Sequence, residues 1–128
     1  MDKIYEFIKD RVAKASKGKS NCVGTALYLS GELDSDKYLS REDSKKIISK
    51  MKRAIKPELG YLVLWESSGI PIHAVVILMD NPLQILYRNK TTNLLMQDSL
   101  DKFSDYLFEY FKVKPTYRIP HKLFGETK

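Results

Sequence analysis

Tyr61-Leu62-Val63-Leu64-Trp65 and, beyond Ser67-Ser68-Gly69, Ile72-His73-Ala74-Val75-Val76-Ile77-Leu78-Met79 decide the fold class. Before them, apolar residues recur at helical spacing. Here they run without interruption, rich in β-branched and aromatic side chains, and turn residues bound them. Two strands joined by a tight turn follow. Asp80-Asn81-Pro82 predicts another turn, and Leu83 to Arg88 a third strand. Strands apolar in both parities need helices on at least one face. Leu94-Leu95-Met96 suits a short fourth strand, and Lys114 to Ile119 a last strand at the sheet edge.

Working outward, Lys3 to Ala15 predicts an amphipathic helix with Ile4, Ile8, Val12 and Ala15 as its stripe, ended by Lys17-Gly18-Lys19. Ser20 and Asn21 are N-cap residues for a second helix. In it Val23, Ala26, Leu27 and Ser30 share a face, and Gly31 is the C′ stop. Glu32 to Leu39, with Asp34 and Asp36, reads as a solvated loop, since the rest of a calcium loop is missing. Ser40-Arg41-Glu42-Asp43 caps a third helix reaching about Ile55, with Ile47, Ile48, Met51 and Ile55 inward. Ser99 caps a fourth, to about Phe111, with Phe103, Leu107, Tyr110 and Phe111 inward. His121 to Lys128 reads as a tail frayed from about residue 120. Helices, then a strand meander, then a helix and a strand make one α+β domain over residues 1–128.

A chain of 128 residues with 43% hydrophobic and 30% charged residues can bury a core, which excludes a disordered chain. One cysteine excludes an internal disulfide and suits a reducing compartment. The start, Met1-Asp2-Lys3-Ile4-Tyr5-Glu6, has no apolar signal region, and no run approaches the roughly 18 residues of a membrane span. The expectation is a cytoplasmic protein, or one exported by a non-classical route. Net charge is +6, with basic clusters at Lys14, Lys17 and Lys19 and again from Lys45 to Lys56. No aromatic platform accompanies them in the sequence, which argues against nucleic acid as partner.

The residue types that carry chemistry are Cys22 and His73. Cys22 falls in the first turn of its helix, where unpaired N–H groups and the helix dipole favour a thiolate and an oxyanion. His73 opens a central strand and is the better base. His121, between Pro120 and Lys122, is the weaker one. If Met79 faces Leu83 across a hairpin, His73 faces Asn89, with Ile85 and Tyr87 on the same face. Asn89 is then the third catalytic residue, with Tyr87 an alternative and, after a one-residue shift, Gln84 or Arg88. The isolated Cys22, His73 and His121 exclude a structural zinc site, and scattered glycines exclude a phosphate loop. No cofactor and no metal is expected.

The order helix-borne Cys22, then Pro57-Glu58-Leu59-Gly60-Tyr61-Leu62-Val63-Leu64-Trp65, then His73-Ala74-Val75-Val76-Ile77-Leu78, then a third strand, resembles NlpC-type papain-like cysteine peptidases and amidases. The resemblance runs from about Ser20 to Arg88. It departs from the family at Tyr61, where an Asp is usual, at Val23 beside the cysteine, and on the third strand, where Tyr87 or Asn89 stands near the place of a histidine. It implies a papain-like fold, with N-terminal helices packed on a small antiparallel sheet. It also implies a hydrolase or acyltransferase acting on a peptide or other amide or ester, Cys22 attacking the carbonyl and His73 moving the proton. The competing expectation is a non-catalytic binding module on the same fold, its basic surface near Lys45 to Lys56 docking an anionic partner. A Cys22 exposed in a cleft within about 4 Å of His73 favours the first, and a buried, inert Cys22 the second.

Overall fold

The computed structural model describes residues 3–15, 20–80 and 82–124. Lys17-Gly18-Lys19, Asn81 and the last four residues of the expected tail lie outside them. The elements in chain order are α1 (Lys3–Ala13), α2 (Cys22–Leu29), α3 (Arg41–Ser49), β1 (Lys52–Ala54), β2 (Leu62–Ser67), β3 (Ile70–Met79), β4 (Gln84–Arg88), β5 (Leu95–Ser99), α4 (Leu100–Phe111), β6 (Thr116–Ile119) and α5 (His121–Phe124). The strands form one antiparallel sheet in the order β1-β6-β2-β3-β4-β5. The fold class is α+β.

Both faces of the sheet are covered, which explains why β2 and β3 are apolar in both parities. Leu62, Leu64, Ala74, Val76 and Leu78 pack with α1, α2 and α3. The alternate residues Val63, Trp65, Val75 and Ile77 pack with Leu100, Phe103 and Leu107 of α4. Every residue of α2 is buried, because this helix lies directly on the sheet. Its end is a Schellman motif: Gly31, at φ +89°, donates to the Tyr28 carbonyl, and Glu32 to that of Leu27. Among the described residues no helix is long and apolar enough to cross a membrane.

Four expectations change. The third helix stops at Ser49 instead of continuing to Ile55. The Arg118 guanidinium takes up the carbonyls of Ile48 and Met51, and the next residues turn into β1 to pair with β6. Ile55 is left 98% exposed, so its place in the helical pattern is coincidental. The last strand is no edge, since β6 lies between β1 and β2. Residues 121–124 are held: the Glu32 carboxylate accepts from the His121 backbone N–H and lies 2.9 Å from its Nδ1, and Phe124 packs edge-on against Tyr61. Finally, Tyr110 and Phe111, expected inside, are exposed, because only Leu100, Phe103 and Leu107 of α4 reach the sheet.

Candidate functional site

Asn21 is the N-cap that places Cys22. Its side-chain oxygen accepts from Gly24 N at 3.0 Å, and its amide donates to the Leu39 carbonyl at 2.8 Å. Cys22 is thereby the first residue of α2, as the sequence predicts. It lines a cleft of about 740 Å³ between the start of α2, the β3 entry and the loop after β4. The thiol itself is buried, with only 5% of the residue exposed. Burial pushes it up from its ordinary value. The Lys90 ammonium and the neighbouring backbone of Ala74, Val23 and Cys22 pull the other way without prevailing.

His73 does not meet it. Ala74, whose backbone lies beside the thiol, faces α2, and His73 faces α4. Its ring packs 4.9 Å from that of Phe103 and 5.9 Å from Tyr87, centroid to centroid. Strand alternation explains the direction: Val75 and Ile77, the next residues of the same parity, also pack against α4, and the β-bulge in β3 comes only before His73. Trp65 pairs with His73 but Glu66 pairs with Pro71, leaving Ile72 as an extra residue in β3. Burial, with Lys90 adding to it, lowers the imidazole to about 4, so it is neutral at physiological pH. Its Nδ1 is enclosed without a hydrogen-bond partner.

The expected hairpin register holds where it matters, with Val76 opposite Leu86 and Ile77 opposite Ile85. Nearer the turn Met79 pairs with Gln84, not Leu83. Tyr87 shares the His73 face, as anticipated. The Asn89 side-chain oxygen is occupied by the backbone N–H groups of Thr91 and Thr92, so it shapes a turn. Gln84 lies at the far end of β3 from His73, opposite Met79 and Ser99. Cys22, His73 and Asn89 are therefore not brought together as a triad.

A buried polar cluster lies instead beneath the start of α2. Arg88 donates from Nε to Thr25 Oγ1 at 2.7 Å and from a terminal nitrogen to Asp36 Oδ2 at 2.6 Å. Thr25 donates to the other Asp36 oxygen at 2.8 Å, and Ser20 bridges Thr25 and the Lys37 carbonyl. Burial acts to raise the Asp36 carboxyl, but the hydrogen bonds from Ser20 and Thr25 and the Arg88 charge outweigh it, and it is held below the usual range. Asp36 is thus no part of a solvated loop. No local pattern reveals this, because the partners come from three separate segments. The available signal was Arg88 itself, a charge ending a strand that is otherwise uncharged.

A second cleft, of about 540 Å³, opens on the α4 side and is lined by His73, Tyr87, Phe103 and Tyr106. It shares Ile72, Asn89, Lys90 and Phe111 with the Cys22 cleft. No family model matches the chain, and neither a curated protein nor a solved structure is significantly similar to it.

Proposed function

We propose that this chain is a non-catalytic binding module whose Cys22 cleft takes an anionic group. The observation that carries this reading is the lining of the cleft. Arg41, Arg88 and Lys90 contribute to it, with asparagines and serines, and none of the described lining residues is Asp or Glu. Arg88 is neutralised by Asp36, which leaves Arg41 and Lys90 as the charges facing the cleft. A concave, cationic wall without acid attracts an anion and supplies donors to hold it. The site differs from the basic stretch that the sequence suggested, though Arg41 stands at the start of the same helix. Inorganic phosphate is the simplest probe. Added at low salt, it should shift the backbone amide resonances of Cys22, Val23 and Lys90, and affinity should fall as salt rises. Replacing Arg41 and Lys90 together by Ala should abolish the shifts. Unmoved resonances in the native chain would end this reading.

A second reading keeps the NlpC-type, papain-like resemblance and its cysteine hydrolase or acyltransferase chemistry. What favours it is the position of Cys22, first in a sheet-packed helix and on a cleft wall. Against it stand the raised thiol and the imidazole on the opposite face. That chemistry requires the bulge to move from Ile72 to beyond His73, which would reverse the face of His73. The pH dependence of Cys22 alkylation separates the two readings. The binding module has a slow thiol titrating above the ordinary cysteine range because of burial, indifferent to His73→Ala. A hydrolase has a reactive thiolate near neutrality that the same substitution removes.

A further inference from the structure

We infer that the two adjoining clefts form one composite site for an aromatic ring bearing a phosphate, of the nucleoside monophosphate class, with the ring in the His73 cleft and the phosphate over Lys90. This rests on the anion reading of the Cys22 cleft and names the ligand that would use it. The second cleft has a different character from the first. Part of its wall is aromatic: Tyr87 and Phe103 lie 4.6 Å apart between centroids, with His73 against both. Tyr106, 56% exposed, stands at the mouth. A planar ring is the shape that such walls accept, because every base has a π-face to stack. A volume of about 540 Å³ admits a base with its sugar.

Two further observations bear on the ligand. His73, 5% exposed, lines this cleft, and because its Nδ1 is enclosed, the ring and not that nitrogen is what a ligand would meet. The neutral imidazole adds an uncharged ring face. Lys90 belongs to both clefts and so marks their shared edge, while the aromatic cleft also carries Lys102 and the opposing Asp98. A molecule lying across the shared rim would stack at one end and pair with Lys90 at the other. An anion without a ring uses only the first cleft, and a nucleoside without phosphate only the second.

Calorimetric titration with adenosine monophosphate, adenosine and inorganic phosphate at low salt tests this, on the native chain and on Tyr106→Ala, an exposed position whose change leaves the core intact. The monophosphate should bind about tenfold or more tighter than either fragment. Tyr106→Ala should weaken it about fivefold or more while leaving phosphate binding unchanged. Monophosphate binding no tighter than phosphate, or indifferent to Tyr106→Ala, would overturn the composite site and leave the anion reading standing. Monophosphate and adenosine binding equally, with phosphate not binding at all, would overturn both.

Discussion

His73 is held in its neutral form by the rings around it, and this has a consequence for stability. The folded value of about 4 lies below the ordinary 6.5, so between those values the unfolded chain binds a proton that the folded chain does not. Stability is complete above about pH 6.5 and is lost as pH falls towards 4, by about 3 kcal/mol in all. Lys90 strengthens the effect, and Asp98 lies on the wall of the same cleft. Urea unfolding between pH 4 and 7 should show this slope in the native chain and not in His73→Phe, which keeps the ring packing. An equal slope in both would refute the assignment. Asp36 acts at lower pH, because its depressed carboxyl loses its contribution only below the usual carboxylate range. Arg88→Met should cost about 3–5 kcal/mol by leaving Asp36 buried and unpaired, and Asp36→Leu added to it should recover much of the loss. Denaturation midpoints of the single and double variants check this. A cost below about 1 kcal/mol for the single change would mean that the pair contributes little.

At the scale of elements, α2 is fixed by one close approach. A side-chain carbon on Gly24 would stand 1.8 Å from the Lys37 carbonyl oxygen, so the helix and the segment 36–39 touch backbone to backbone there. Gly24→Ala, which in an open helix would gain about 1 kcal/mol, should here cost about 2 kcal/mol or more. Thermal unfolding decides it, and a stabilised variant would show that the segments do not touch. Much of this level was legible from local pattern. The capping residues Asn21, Ser40 and Ser99, the Gly31 stop and the central hairpin register are each written in a few adjacent residues. What was not legible depended on distant partners. β1 exists because β6 pairs with it, and α3 ends where Arg118, far along the chain, meets its carbonyls. The face of His73 follows plain alternation with Val75 and Ile77, but no local pattern showed which face of the sheet α2 covers, and it covers the other one. Cys22 at a helix start was correct as a place, but burial and not dipole governs its thiol.

Over the whole molecule, the two helical layers and the sheet between them depend on β6, which joins β1 to β2 and carries Arg118. A chain ending after Phe111 keeps α4 but lacks that strand. Its Lys52–Ala54 and Leu62–Leu64 amides should lose hydrogen-exchange protection, while those of the β3–β4 hairpin keep more of theirs. Unchanged protection along β2 would show that β6 is dispensable. The same arrangement bears on how the protein is made. During synthesis β2 emerges from the ribosome long before its neighbour on one side, and its free edge is an apolar strand. Until residue 119 is clear of the exit tunnel, that edge is open to any other strand, including the β2 of a neighbouring nascent chain. The interval between the emergence of β2 and that of β6 is therefore the one in which this protein is most prone to aggregate.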